Sequence, residues 1–282
     1  MQNFVSRRSV FMVAALLAAA PAAYAQYYYK DIISNRQLQT EMALLKDQKI
    51  RTVSVTSFED DGSPSEGFFC EKKINRKFTS VQMFTRSNIT GPSEVNSEFN
   101  EKGLITASSD SSDISVNTTT YSYDEQDRVT HIRSAVRSSD DDFNNEMVEE
   151  HIYTYGSNNL PLKMFRVKNG TDTSVIEFRS DEKNNLAIEK DTKTGKTYYY
   201  YYDSKNRLTD IVRENEFNHK LFPDYMFEYD GAGNITQMTT TEQGSKNYYF
   251  TWKYTYSNGL RVAEKCFSKE KRLMGTIRYD YQ

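Results

Sequence analysis

The segments YDSKNRLT (residues 202–209) and YDGAGNIT (residues 229–236) decide how this chain is organised. Each places Tyr before a turn of Asp, Asn, Gly or Lys and an apolar residue after it. Asn and Gly accept the positive φ angles of tight hairpins, and Asp can bond back to the backbone. Each segment therefore predicts a β-hairpin whose incoming strand ends on Tyr.

The same pattern recurs through the C-terminal two thirds of the chain. Seven units can be aligned on the apolar residue that follows the turn: Leu104, Val129, Leu160, Leu186, Leu208, Ile235 and Leu260. Successive residues of this set are 25, 31, 26, 22, 27 and 25 positions apart. One such hairpin is marginally stable alone, so the units must pair laterally. We predict an all-β, mainly antiparallel fold of repeated hairpins in one large twisted or curved sheet, and we leave open whether the sheet closes.

The strictest alternation lies in residues 250–256. One face carries four aromatic residues, and the other carries Thr, Lys and Thr; the aromatic residues are Phe250, Trp252, Tyr254 and Tyr256. Residues two apart on a strand share a face. We therefore predict that this ladder is a core face, and that Trp252→Ala costs ~3–5 kcal/mol.

A run of five tyrosines must instead point to both faces of its strand; they are Tyr198, Tyr199, Tyr200, Tyr201 and Tyr202. At least two of these rings should lie at the surface or under a cover, and exposed aromatic clusters tend to mark contact sites. We predict that the run supplies the binding residues. The alternative is that a loop or the N-terminal helix covers its second face.

The two quoted segments and residues 123–130 resemble the YD repeat of rearrangement-hotspot and teneurin-type proteins. The resemblance covers about residues 97–282 and does not reach residues 26–96. It implies a long β-sheet that spirals into a shell at a cell surface, sometimes around a toxic C-terminal domain. This chain departs from that pattern in two ways. We expect seven or eight hairpins to be too few to close such a shell. We also expect the sequence up to Tyr281-Gln282 to leave no room for a toxic domain.

The N-terminal residues have the pattern of a signal peptide. Arg7 and Arg8 precede the apolar run 10–23, and Ala23-Tyr24-Ala25 is a signal-peptidase pattern, which predicts cleavage between Ala25 and Gln26. About 14 apolar residues are fewer than the ~20 that a membrane-spanning helix needs. We therefore expect residues 1–25 to be removed and the mature protein to be secreted or periplasmic rather than membrane-spanning.

The mature chain should form one continuous domain over residues 26–282. Residues 26–96 would hold the N-terminal helix and the first strands, and residues 97–282 the hairpin repeats. The spacing of Leu38, Met42 and Leu45 predicts a helix over residues 34–49. From Arg51 onward the apolar period changes from helical to two, which indicates strands.

Charge and cysteine content narrow the function classes. The formal net charge of −3 becomes more negative when the two leader arginines are removed, so nucleic acid is not an expected partner. Cys70 and Cys266 would meet an oxidising compartment, where they could form a disulfide or stay as two buried thiols. Two cysteines without histidines at ligand spacing do not make a structural zinc site.

No catalytic motif, metal site or cofactor motif is evident, which favours a non-enzymatic protein. The stretch Asp140-Asp141-Asp142 allows a cation site, although a solvated loop is the simpler interpretation. The leading hypothesis is a cell-envelope scaffold that binds a carbohydrate polymer or a protein. The alternative is a periplasmic carrier that holds an apolar ligand in the concave face of the sheet, with the helix as a plug or lid.

Overall fold

The computed structural model of the chain describes residues 27–139, 146–214, 219–241 and 248–282. These residues form one helix, α1 (Tyr29–Asp47), followed by eighteen strands. The strands are β1 (Thr52–Phe58), β2 (Phe69–Ile74), β3 (Ser80–Ser87), β4 (Gly91–Phe99), β5 (Ile105–Ser112), β6 (Ser115–Tyr123), β7 (Val129–Ser138), β8 (Met147–Tyr155), β9 (Pro161–Lys168), β10 (Asp172–Ser180), β11 (Leu186–Asp191), β12 (Thr197–Tyr202), β13 (Leu208–Glu214), β14 (Leu221–Tyr229), β15 (Ile235–Thr241), β16 (Tyr249–Ser257), β17 (Leu260–Ser268) and β18 (Leu273–Tyr281). The all-β fold with one N-terminal helix is confirmed. The predicted leader and its cleavage site lie outside the described residues.

The sheet closes on itself. Every strand pairs antiparallel with its neighbours in sequence, and β1 also pairs with β18, where Val53 lies opposite Tyr281 and Val55 opposite Tyr279. The molecule is therefore a closed up-and-down barrel, which leaves no strand edge unpaired.

Closure has a repeated local cause. In seven hairpins the register shifts one residue before the turn, at Phe99, Tyr123, Tyr155, Ser180, Tyr202, Tyr229 and Tyr256. A β-bulge bends its strand and increases the local twist. Repeating the bulge at the same place in these seven hairpins curves the sheet in one direction.

The Tyr and Asp of the repeat each have a structural role at the turns. The Asp203 carboxylate accepts the backbone N–H groups of Lys205 and Arg207 at 2.8 and 2.9 Å, which fixes the turn. The Tyr229 hydroxyl donates to the carbonyl of Leu208 in the preceding hairpin at 2.6 Å. Tyr123, Tyr155 and Tyr281 donate in the same way to Ile105, Val129 and Arg261. Each tyrosine therefore joins its hairpin to the previous one.

Helix α1 lies inside the barrel. Its first residues pack with inward side chains of β7 to β13, and Met42 and Leu45 pack with inward side chains of β1 to β5 and β17. Gln48 donates to the backbone carbonyl of Asn258, at the β16–β17 turn, at 2.9 Å. A helix contacted from both halves of a closed sheet occupies its lumen, next to the end that carries the repeat turns. The helix begins at Tyr29, five residues earlier than the sequence predicted.

The aromatic ladder of β16 faces inward, as the alternation predicts, but only partly fills the core. Tyr254 is buried, whereas Phe250, Trp252 and Tyr256 are half-buried. Trp252 lies opposite Met238 on one side and Cys266 on the other. Because Trp252 keeps contact with solvent, the cost of Trp252→Ala should fall below the ~3–5 kcal/mol of a fully buried ring.

Candidate functional site

The five tyrosines of β12 divide between the two faces of the barrel wall. Tyr198 and Tyr200 are 2% and 4% exposed and point into the lumen, and Tyr202 packs against the same interior cluster. Tyr201 is 46% exposed, and Tyr199 is half-buried on the same outward side. The predicted binding run therefore separates into three lumenal rings and two outward rings.

The outward rings belong to an apolar strip that we call the outer tyrosine face. Tyr199 lies opposite Ile188 on β11 and Val212 on β13. Tyr201 lies opposite Asp210, which in turn lies opposite the exposed Met226 on β14. The Tyr199 hydroxyl donates to Glu214 Oε2 at 3.2 Å. The strip thus offers two flat rings with polar groups at its margin.

The inward rings help to hold the start of α1. Glu189 is fully buried, and its carboxylate accepts the backbone N–H groups of Tyr28 and Tyr29 at 2.8 and 2.9 Å and the Tyr200 hydroxyl at 2.7 Å. The N–H groups at a helix start lack partners within the helix and favour a negative charge. Burial nevertheless raises the pKa of Glu189 to about 7, against the lowering effect of its three donors. Glu189 therefore caps the helix from the barrel wall.

A second ionic contact lies one turn along the helix. His151 Nδ1 lies 2.6 Å from Asp31 Oδ2, and Nε2 lies 2.9 Å from Glu149 Oε1. The Tyr153 hydroxyl donates to the same Asp31 oxygen at 2.7 Å. Burial opposes the charge on His151, but the Asp31 and Glu149 carboxylates outweigh it and raise the pKa of His151 to about 9.

These two contacts form a structural latch, which we define as Glu189, Tyr200, His151, Asp31 and Tyr153. Both nitrogens of His151 are engaged by carboxylates, so the protonated ring has no free nitrogen to exchange a proton with a substrate. Glu189, His151 and Tyr153 bind the start of the helix, and Tyr200 supports the Glu189 carboxylate. Its chemistry is therefore that of an anchor for α1.

The latch residues were not predicted from the sequence. Glu189 and His151 sit at ordinary alternating positions of their strands, and their partners are more than a hundred residues away. The one local signal is the run Tyr27-Tyr28-Tyr29, in which Tyr27 and Tyr29 are buried although they precede the predicted helix. Three tyrosines next to a helix start indicate a buried N-terminal segment.

The two cysteines are both free and buried, so the disulfide that the sequence allowed is not formed. Cys70 lies on β2 and Cys266 on β17, with β1 and β18 between them. Three strand spacings amount to roughly 14 Å along the sheet, whereas bonded cysteines have Cα atoms within about 7 Å. Burial raises the pKa of both thiols.

The described residues offer neither a metal cluster nor a membrane-spanning helix. The described ranges contain no group of three or more His, Cys, Asp or Glu side chains placed to hold a metal ion. The acidic stretch Asp140-Asp141-Asp142 lies outside those ranges. Across residues 27–139, 146–214, 219–241 and 248–282, helical structure is nowhere both long and apolar enough to cross a bilayer.

Comparison with known proteins gives no family. No protein-family model matches the chain, and no curated protein matches it. Two solved porin-like proteins are similar over most of both chains. That of Bacteroides uniformis is 11% identical, with 83% of this chain and 96% of the other covered at a TM-score of 0.41. That of Bacteroides vulgatus is 12% identical, with 83% and 98% covered at a TM-score of 0.33.

Part of a toxin is also similar. The Tc holotoxin pore of Photorhabdus luminescens is 11% identical over 84% of this chain, at a TM-score of 0.26. The chain spans about a sixth of that protein, because 17% of the toxin chain is covered. At these identities and TM-scores the three likenesses carry no argument about function, and the described residues must supply it.

Proposed function

We propose that this protein is a non-enzymatic scaffold of the cell envelope or the medium, which binds a carbohydrate polymer on the outer tyrosine face. The observation that carries the proposal is the division of the tyrosine run. Tyr198 and Tyr200 pack in the interior cluster that surrounds the helix start, whereas Tyr201 remains 46% exposed on the outside, two strands from the exposed Met226. A tyrosine ring combines an apolar body with a polar tip, which suits a ligand that has both C–H surfaces and hydroxyl groups.

The size of the strip favours a polymer chain over a globular protein. It extends over two residues along β12 and over three strand spacings from β11 to β14, or about 7 Å by 14 Å. A standard protein–protein interface buries about 800 Å² on each partner. A strip this narrow matches a single extended chain. Asp210, between Tyr201 and Met226, and Glu214, at the margin, can accept hydrogen bonds from sugar hydroxyls.

The rest of the outer surface supports a barrel that faces water. Charged side chains form outward rows, such as Lys163, Glu177 and Lys190 across β9 to β11. Lys253 lies opposite Lys265 on β16 and β17. Charges on a lipid-facing wall are costly. We accordingly propose export in soluble form after removal of residues 1–25, and recovery without detergent tests that point.

The binding test uses matched tyrosine variants. Tyr201→Ala should weaken the affinity for a polysaccharide, identified from a panel of bacterial and plant polymers, by roughly tenfold, or 1.4 kcal/mol. The control is Tyr248→Ala, since Tyr248 is 60% exposed and lies outside the strip. Equal loss in both variants, or no polymer bound by the parent, would contradict the proposal.

The second candidate function is the apolar carrier, and the lumenal position of α1 is the observation that favours it. One cavity beside the helix is small, however. The cavity between α1 and strands β2 to β4 measures about 50 Å³, which accommodates one or two water molecules. An apolar ligand in this cavity would have to displace that part of the helix. Mass spectrometry of the purified protein tests this function, because a stoichiometric bound lipid would favour the carrier.

A further inference from the structure

The lumen has two unlike halves. Inward positions on β9 to β13 carry large side chains that pack against the start of α1, including Met164, Ile176, Tyr198 and Ile211. Nearer the repeat turns, β4 to β7 also carry apolar inward residues such as Phe99, Ile105 and Ile132, but farther from these turns their inward positions carry mainly small polar side chains. Because strands with one buried face normally place apolar residues on it, the small polar residues of β4 to β7 require an explanation.

We call this region the lumenal polar wall and define it by two rows of directly opposed residues. The first row is Ser97, Ser108, Thr119 and Ser134. The second row is Val95, Asp110, Asn117 and Val136. Opposed residues of paired strands share a face. Val95 and Ser97 line the cavity against Leu38 and Met42 of α1, so both rows face the lumen.

Several polar groups of the wall have no protein partner. The Asp110 carboxyl group makes no hydrogen bond within the part of the chain that the structure describes, and burial raises its pKa. Asn117 Oδ1 is buried without a partner. Ser97 and Ser108 are half-buried. Buried polar groups are normally satisfied, so unsatisfied ones indicate water or a ligand.

We propose that the lumenal polar wall binds a small polyhydroxylated molecule, a mono- or disaccharide. Hydroxyl groups of such a ligand donate to Asp110 and exchange hydrogen bonds with Asn117 and Ser108. The Asn117 amide can bind the sugar in either orientation, because a sugar hydroxyl can donate to the amide oxygen or accept from the amide nitrogen. Val95 and Val136 flank the two acceptors and contact the C–H faces of the sugar. The cavity beside Ser97 admits one projecting group.

The test uses two serines that are adjacent in sequence and face opposite sides of the wall. Ser108 points into the lumen, and Ser109 points outward between Asn96 and Thr118. The probes are neutral mono- and disaccharides, screened by saturation-transfer NMR and measured by calorimetry on the full chain. Ser108→Val should weaken the bound sugar at least about tenfold, and Ser109→Val should leave it unchanged. Circular dichroism confirms that both variants fold.

Three outcomes would overturn the proposal. One is that no sugar in the panel binds saturably, and another is that Ser109→Val weakens binding as much as Ser108→Val. The third is that ethanolamine or putrescine binds through Asp110 and the sugars do not bind, which would make the wall a cation site. The site is separable from the outer tyrosine face, because Tyr201→Ala should not affect the small sugar and Ser108→Val should not affect the polymer.

Discussion

Replacing Tyr200 and Tyr201 by Phe separates the two faces of β12 with the smallest chemical change. The Tyr200 hydroxyl is buried and donates to Glu189 Oε2 at 2.7 Å, whereas Tyr201 is 46% exposed. A hydrogen bond to a charged group contributes about 1.5–3 kcal/mol. We expect Tyr200→Phe to lower the free energy of unfolding by roughly 2 kcal/mol, and Tyr201→Phe to change it by less than about 0.5 kcal/mol.

The assay is urea unfolding at two pH values. Burial raises the pKa of Glu189 to about 7, so Glu189 accepts from Tyr200 as a carboxylate at pH 8 and as a neutral acid at pH 5. Bonds to neutral groups are about half as strong. The cost of Tyr200→Phe should therefore be larger at pH 8 than at pH 5, with an unchanged m-value. Equal costs for Tyr200→Phe and Tyr201→Phe at both pH values would refute the assignment of the two faces.

Three further predictions address the latch, the thiols and the repeat. The raised pKa of His151, about 9, means that the folded state keeps a proton that the unfolded state loses above pH 6.5. Stability should accordingly fall by roughly 3 kcal/mol as pH rises from 6.5 through 9, and thermal unfolding of His151→Gln should lack this decline. Maleimide titration in denaturant should count two free thiols, from Cys70 and Cys266, and a count of zero would show a disulfide. Tyr155→Phe removes the 2.7 Å bond to the carbonyl of Val129 and should cost about 1 kcal/mol in chemical unfolding, unlike Tyr248→Phe.

The hairpins could be predicted from the sequence because their determinants are local. Asp203 binds N–H groups two and four residues ahead, and Asn206 has a φ of 59°. Both properties follow from residue type and position within the turn. The division of the tyrosine run between two faces follows from the period of a strand. Turns, strand direction and alternation are therefore readable from the chain alone.

Closure and the latch could not be predicted because they depend on distant partners. The register shift beside Tyr202 adds curvature that no single hairpin reveals, and closure requires β1 to meet β18 at the other end of the chain. Local spacing predicts a helix only from Ser34, whereas the true start at Tyr29 depends on Glu189, which is 160 residues away. Sequence patterns likewise do not reveal the latch or the lumenal polar wall, because their strands surround a helix that is far from them in the sequence.

Barrel closure is the claim on which the lumen, the latch and both proposed sites depend, and one cross-link tests it directly. Ser54 on β1 lies opposite Asp280 on β18, and both face outward. In a background of Cys70→Ala and Cys266→Ala, the pair Ser54→Cys and Asp280→Cys is treated with a short bismaleimide under native conditions. We predict rapid intramolecular bridging, with none for the control pair Ser54→Cys and Lys265→Cys. Failure of the first pair to bridge faster than the control would mean that the sheet is open and would contradict the account.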